Sequence, residues 1–437
     1  MISPDVFARY AAMRVPRYTS YPTAPNFSPA IDGTEYRRWL RSFDGSSSVS
    51  IYLHIPFCRQ MCWYCGCHTT VTRRQPPVSR YVDSLVKEIG MVASELQVRP
   101  KIGHLHWGGG SPTLLTPNDL LRIREALAQA FAFDPLAENA VEVDPRTLNE
   151  ALARAFGRAG VNRASVGVQS FDPRVQIAIN RVQSFSTTAA AVQMLRDCGI
   201  PGINFDLIYG LPFQTVQSCT DTVEQALKLQ PNRLSVFGYA HVPSFKAHQR
   251  KIDETALPGP EARAEQAEAI ARALMVAGYR QIGLDHFALA GDSLALAAER
   301  GLLHRNFQGY TTDRCADLIA FGASAIGRLP QGFVQNATKI PDYERRIGEA
   351  RFATVRGCLV SEDDSRRAEI IEQLMCNYRA QVGPVVAPLR GLEADGLIRR
   401  SGDWIEVTDE GRPLVRAVAA AFDSYLPSST AMHVAAV

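Results

Sequence analysis

The sequence predicts an α/β fold, a partial (β/α)6 barrel with an N-terminal arm and a mainly helical C-terminal domain. Three observations predict it. From Val49 to about residue 240, short β-prone runs alternate with helical patterns. The helical stretches are long enough to carry the chain back across a sheet, so the strands are parallel with right-handed crossovers. Six such units occur, short of the eight that close a full barrel.

The strand candidates, in order, are Val49–Ile55, His104–Trp107, Ala140–Val143, Ala164–Val168, Ile203–Ile208 and Leu234–Phe237. Helical patterns lie between them at Ser79–Glu95, Pro117–Phe131, Leu148–Arg158, Ser186–Cys198 and Val216–Leu229. Residues 1–48 read as an arm, 49–345 as the barrel with an extension, and 346–437 as the C-terminal domain. The arm is marked by PRYTSYPTA, Pro16–Ala24, which reads as a surface loop or as a cover for a ligand. Beyond the barrel, Gly259–Ala277 is helical, Tyr279–Phe287 extended, and Gly301–Ala325 contains RNFQGYTT and a run of small residues. A helix at Glu362–Ala380, another after it, short strands near Leu397–Arg400 and Trp404–Val407, and a helix at Pro413–Tyr425 resemble a winged helix. It has no basic stripe, so a structural or lid role is expected. The tail after Tyr425 is expected to fray.

Composition is that of a globular protein, with 46% hydrophobic and 21% charged residues. A net charge of +3 argues against nucleic acid or an anionic membrane as partner. No apolar run approaches the ~18 residues of a membrane span, and the N-terminus has no apolar signal core. Nine cysteines at irregular spacing make no disulfide framework and point to a reducing cytoplasm.

Four of those cysteines, Cys58, Cys62, Cys65 and Cys67, fall within ten residues of IYLHIPFCRQMCWYCGC. Pro56 ends the preceding strand because it has no N–H to donate, so the cysteines occupy a loop at a strand end. The first three read C-x3-C-x2-C. Three thiolates on one short segment suit a cubic iron–sulfur cluster, with one iron left for a small chelating ligand. A structural zinc site, with Cys67 as fourth ligand, is the competing reading. Against it, the remaining cysteines are scattered singly and form no second knuckle.

Other chemistry-bearing residues fall at later strand ends, where functional residues of such sheets gather. GGGSPT, Gly108–Thr113, follows the second strand, and Glu142 ends the third. Gln169 ends the fourth, Arg181 follows it, and Asp206 ends the fifth. A carboxylate there can accept ribose hydroxyls or an amine, and an arginine can clamp a carboxylate. Glu142 also reads as a surface or salt-bridged carboxylate, and each of these residues alone is weak evidence; their repetition at successive strand ends is the argument. His54, His68 and the pair Asp285–His286 read best as hydrogen-bonded structural groups, while His104 and His106 alternate on a strand and can line a site.

The C-x3-C-x2-C spacing, with Tyr64 before the third cysteine, resembles the radical S-adenosylmethionine (SAM) superfamily, whose fold is a partial barrel. That resemblance implies Cys58, Cys62 and Cys65 as ligands of a [4Fe–4S] cluster whose open iron takes the amine and carboxylate of SAM. A closer resemblance runs from about Pro16 to Tyr425. PRYTSYPTA, HIPFC, HWGGGSPT, GVQSFDP, DLIYGLPFQT, HQRKID, GLDHFALA, HRNFQGYTT and QLMCNYR occur in this order. Together they look like the bacterial oxygen-independent coproporphyrinogen III oxidase (dehydrogenase) family.

That family implies two SAM molecules. Tyr52, Gly109, Gly110, Ser111 and Glu142 match positions lining the first and its border, and Tyr64, Gln169, Arg181, Asp206, Ala240 and Ile326 match positions around the second. The implied reaction is oxidative decarboxylation of two propionates of coproporphyrinogen III to vinyls, giving protoporphyrinogen IX in haem synthesis. A radical generated from SAM abstracts hydrogen from the propionate β-carbon. The implied partners are this substrate and a low-potential electron donor of flavodoxin or ferredoxin type, for a cytoplasmic monomer. The arm and the C-terminal domain are candidate lids. Charge alone makes Arg17, Arg181, Lys246 and Arg250 candidate partners for propionates. The chain departs from the family pattern at Trp63, Ser170, Ser244 and Asp342–Tyr343. Two rivals are a haem chaperone-like haem-binding relative and a radical SAM enzyme that opens or methylates haem. Cys67 and the arm argue against the first; the arm and RNFQGYTT argue against the second.

Overall fold

The computed structural model describes residues 2–383, 385 and 388–426. Residues 427–437 of the tail expected to fray lie outside the described residues. The chain forms two compact units. The larger is Ser28–Ala277 with Cys315–Gly357; the smaller is Met1–Phe27 with Gly278–Arg314 and Cys358–Val437.

The strands in chain order are β1 (Val49–Ile55), β2 (Phe57–Cys58), β3 (Thr70–Val71), β4 (Lys101–Gly109), β5 (Ala132–Val143), β6 (Arg163–Gln169), β7 (Gly202–Tyr209) and β8 (Arg233–Gly238). Then come β9 (Tyr279–Ile282), β10 (His286–Leu289), β11 (His304–Asn306), β12 (Gly309–Thr311), β13 (Asp317–Phe321), β14 (Ile326–Leu329), β15 (Gly332–Asn336) and β16 (Thr354–Leu359). The last are β17 (Arg379–Gln381), β18 (Ile398–Ser401) and β19 (Trp404–Val407).

In the larger unit the sheet runs β16-β15-β14-β13-β1-β4-β5-β6-β7-β8. Strands β1 and β4 to β8 pair in parallel, and they are the six strands the sequence predicts. Six residues of β1 are buried, as expected of a strand covered on both faces. The sequence reading lacks the strands beyond β1. There β13 adds a parallel strand, and β14 and β15 follow antiparallel.

The helix Gln75–Glu95 shows why the intervening run, FGASA, is built of small residues. Its buried face carries Val78, Tyr81, Val82, Leu85, Ile89 and Val92 at helical spacing. The Tyr81 hydroxyl donates to His54 O at 2.8 Å and accepts from Ala323 N at 2.9 Å. Gly322 has φ +102°, and a side chain there would meet Tyr81 and His54 O. Glu88, fully buried on the same helix, accepts from Gly322 N (2.8 Å), Tyr343 Oη (2.8 Å) and Asn336 Nδ2 (2.6 Å). One carboxylate thus joins the helix to the strand ends that follow β13.

In the smaller unit, β17, β19 and β18 form an antiparallel sheet. The helix expected over Glu362–Ala380 stops at Asn377. Tyr378 caps it in the left-handed region (φ 56°), and the chain continues into β17. Pro413 has no backbone N–H to donate, and the helix expected over Pro413–Tyr425 is a 3-10 turn, Asp409–Leu414, followed by Val415–Ala420. The arm is not the surface loop expected of PRYTSYPTA at its tyrosines. Tyr18 and Tyr21 are buried with Val15 against Leu374, Val415 and Phe422. Tyr18 Oη donates to Asp423 at 3.1 Å, and Ser424 N donates to Tyr21 Oη at 3.0 Å. Among the described residues no helix is long and apolar enough to cross a membrane.

Burial raises the Glu88 carboxyl to about 7, against three donors that pull it down. As pH rises from about 4.5 to about 7, the unfolded chain loses this proton first. Stability should therefore fall by up to about 3 kcal/mol across that window and level off above it. Urea midpoints of the wild type should carry this component, and Glu88→Gln should lack it.

Candidate active site

The cysteine loop leaves β1 at Pro56 and is closed by a short parallel pair, Phe57 opposite Thr70 and Cys58 opposite Val71. Thr70 N donates to Pro56 O at 2.7 Å and Thr72 N to Cys58 O at 2.9 Å. Two other segments grip the loop. After β6, Asn180 Nδ2 donates to Met61 O (2.8 Å), and Trp63 N donates to Ile179 O (2.9 Å). After β8, His248 Nε2 donates to Cys65 O (2.7 Å) and Lys246 Nζ to Cys67 O (3.1 Å). Gln249, 1% exposed, donates to Tyr64 O and Ala240 O and accepts from Val242 N, with all its polar capacity turned inward.

Each of the three sulfurs receives a polar hydrogen. Thr69 Oγ1 lies 3.2 Å from Cys58 Sγ, and Cys67 N lies 3.4 Å from Cys65 Sγ. Two guanidiniums, Arg146 Nη2 and Arg181 Nη1, each approach Cys62 Sγ to 3.6 Å. Asp144 orients both cations, bonding Arg146 through both oxygens and lying 3.6 Å from Arg181. Burial opposes ionisation of Asp144, but Arg181 and Arg146 hold its carboxyl below the usual range. The Cys67 contacts, outweighing burial, lower the Cys65 thiol to about 6, while burial pushes Cys58 up to about 11. A neutral thiol is a weak acceptor, so donors converging on these sulfurs suit thiolates bound to metal. Among the described residues no three Cys, His, Asp or Glu side chains converge on a single metal ion. A cubic cluster makes no such demand, because each thiolate binds a different iron. The donor set fits an iron–sulfur cluster.

Beside the loop, Tyr52, Glu142 and the glycine run form one group. Glu142 accepts from Gly109 N (3.1 Å) and from His106 Nε2 (3.2 Å). Tyr52 stacks on His106, with ring centroids 5.9 Å apart. A Cβ on Gly108 would lie 2.8 Å from Glu142 Oε1 and 3.0 Å from Tyr52. Burial lowers His54 to about 4, so it is neutral. Its Nε2 faces His68 O at 3.0 Å and must carry the proton. Its Nδ1 is therefore the acceptor, and the Tyr52 hydroxyl donates to it at 2.9 Å. The histidine is a structural group, as the sequence reading has it. Gly110 N donates to Ile55 O at 2.9 Å, and Ser111 Oγ lies 2.5 Å from Thr113 Oγ1.

A second group lies on β6 and β7. A Cβ on Gly167 would meet Arg181 Nη2 and Gln169 Nε2, both at 2.9 Å. Gln169 holds φ 68°, a conformation side chains avoid. Arg181 is buried, and its Nε has no hydrogen-bond partner among the described residues. Asp206 accepts from Ser165 Oγ (2.8 Å) and Asn204 Nδ2 (3.0 Å). Tyr64 packs beside Val175, Ile179 and Tyr239. Ala240 follows β8, and its carbonyl accepts from Gln249, which also donates to Tyr64 O. Ile326 opens β14, which runs against β13, so it starts at the sheet end where the parallel strands finish. Sequence reasoning passed over Arg146, Asp144, Thr69, Asn180, His248 and Gln249. Four lie close to residues the sequence singles out: Asp144 two positions after Glu142, Asn180 next to Arg181, and His248 and Gln249 in HQRKID.

A family model for the radical SAM superfamily matches residues 52–226. The oxygen-independent coproporphyrinogen III oxidase of Bradyrhizobium diazoefficiens is 53% identical over 99% of this chain and 99% of its own length. That of Pseudomonas aeruginosa is 39% identical over 97% and 96%. The solved structure of coproporphyrinogen III oxidase from Escherichia coli, described as a radical SAM enzyme, superposes with a TM-score of 0.89. It is 36% identical and covers 94% of this chain and 100% of its own.

This chain belongs to the oxygen-independent coproporphyrinogen III oxidase family.

Membership of this radical SAM family implies a [4Fe–4S] cluster and SAM. The glycines of GGGSPT are required by the close packing of this turn on the segment around the cysteine loop. At Gly109, φ is +125° and a Cβ would lie 2.7 Å from Ile55 O; at Gly110 it would lie 2.7 Å from Phe57 O and meet Thr69 Oγ1. The chain's own cysteine loop occupies the space a side chain would need. Gly109→Ala should destabilise the protein by about 2–4 kcal/mol, read as a lower melting temperature. Gly66→Ala, where a Cβ meets nothing within 4 Å, should leave it nearly unchanged.

Proposed function

We propose that this protein carries out the oxygen-independent oxidative decarboxylation of two propionates of coproporphyrinogen III to vinyls, yielding protoporphyrinogen IX for haem biosynthesis. The observation that carries the reading is the 53% identity over 99% of the chain to a coproporphyrinogen III oxidase, joined to a loop whose three sulfurs each receive a polar hydrogen. An unactivated propionate C–H calls for radical chemistry, which a cluster and SAM supply when bound.

In this reading Cys58, Cys62 and Cys65 hold the cluster, and Cys67 supports Cys65 through its backbone N–H. Tyr52, Gly109, Gly110, Ser111 and Glu142 line a first SAM position. The amides of Gly109 and Gly110 are already engaged with Glu142 and Ile55, so their carbonyl oxygens and the Glu142 carboxylate are what the group offers a cationic amine. Tyr64, Gln169, Arg181, Asp206, Ala240 and Ile326 border a second SAM. Arg181 brings a buried Nε–H, without a partner among the described residues, to clamp a carboxylate. Asp206, held by Ser165 and Asn204, presents acceptors for hydroxyls. A low-potential carrier of flavodoxin or ferredoxin type supplies the electron, and the protein works as a cytoplasmic monomer.

An anaerobic assay with reconstituted protein, SAM, dithionite and coproporphyrinogen III tests this by mass spectrometry. Stepwise loss of two CO2 with formation of 5′-deoxyadenosine is expected, and Cys62→Ala should abolish both. Haem binding without decarboxylation would overturn the assignment in favour of a chaperone-like role. Glu142→Gln should keep its iron and sulfide but bind SAM about tenfold or more weakly, measured by equilibrium dialysis.

A further inference from the structure

From Cys58 to Val82 the chain carries Arg59, Arg73, Arg74 and Arg80 and no carboxylate; the next acidic residue is Asp83. Arg80 is paired with Glu344 at 3.3 Å. Arg73 and Arg74 are exposed, and neither has an ion pair among the described residues. Arg59 is exposed too, and its Nη1 donates to Arg73 O at 2.8 Å, tying the two ends of the cysteine loop together. Within this basic group lies Val71, apolar and 44% exposed. Its register partner across the β2–β3 pair is Cys58. Adjacent strands run ~4.8 Å apart, so one strand spacing separates an exposed apolar spot from a cysteine of the loop.

Radical SAM chemistry consumes an electron that must enter from outside, and electron transfer weakens steeply with distance. A small apolar contact inside a ring of charge suits a short-lived complex, in which charge governs encounter and little area is buried. Every charged side chain on this segment is an arginine, so the complementary surface is acidic. A nucleic acid would be drawn by the same arginines but would gain nothing from Val71 or from the nearness of Cys58.

We propose that Val71, with the neighbouring exposed Arg59, Arg73 and Arg74, is the docking surface for an acidic, low-potential, one-electron carrier protein. The proposal rests on Cys58, Cys62 and Cys65 holding a cluster. One electron leaves the carrier, which is oxidised, and reduces the cluster by one; no atom is transferred.

The test is anaerobic stopped-flow reduction of the reconstituted full-length protein, with reduced flavodoxin as one arm and dithionite as the other. Arg73→Glu/Arg74→Glu should be reduced by flavodoxin at least ~10-fold more slowly than wild type at low ionic strength. The deficit should shrink as salt is raised. Dithionite reduction and iron content should be unchanged, and Arg158→Glu, on an exposed site elsewhere, should behave as wild type. Equal flavodoxin rates in wild type and variant would overturn the proposal, as would equal slowing with both reductants, which places the effect on the cluster. Failure of the wild type to assemble any cluster would instead overturn the reading on which the proposal stands.

Discussion

A loop that carries four cysteines in ten residues has only a two-residue strand pair at its base, so most of its shape has to be imposed by its neighbours. Here the neighbours are other strand ends of the same sheet. Asn180 after β6 holds Met61, His248 and Gln249 after β8 hold Cys65 and Tyr64, and Thr69 returns to Cys58. Because these grips fall on backbone carbonyls and on sulfur, they constrain the loop whether or not it is loaded. The two guanidiniums on Cys62 place positive charge against one sulfur while the other two receive neutral donors. Hydrogen bonds and charge at the sulfurs are among the levers that set a cluster's potential.

The parallel sheet explains why the motifs follow one another so regularly along the chain. Tyr52, Gly109, Glu142, Gln169, Asp206 and Ala240 come from β1, β4, β5, β6, β7 and the turn after β8, which neighbour one another in that order. Chain order and spatial order coincide because each crossover places the next strand beside the last. A motif list read from the sequence is therefore already a map of the rim.

That is also where legibility ended. The six strands and the cysteine loop were readable because apolar periodicity and clustered thiols are local signals. Arg146 and Thr69 were not, since an arginine in a turn and a threonine after a loop look the same whether they face water or sulfur. Strand β13 and the start of β14 were missed because their run, LIAFGASAIG, is rich in small residues, and the link between them, at Gly322 and Ala323, packs on Tyr81 and Glu88 of a helix far away in sequence. Tyr18 and Tyr21 read as loop residues because prolines flank them, yet they are buried partners of Leu374 and Phe422 in the smaller unit. In each case the deciding partner is remote along the chain.

The pairing of β1 with β13 carries a consequence for synthesis. Val49 lies opposite Asp317, with more than half the chain between them. While a ribosome works through that interval, β1 can pair with β4 but keeps its other edge bare, and that edge belongs to a buried, apolar strand. An unpaired strand edge invites wrong partners. The cysteine loop hangs from the same strand, so metal delivered before residue 317 has emerged would meet a loop whose supporting strand is half assembled. Cluster insertion is thus best timed after β13 has emerged and closed over the free edge of β1.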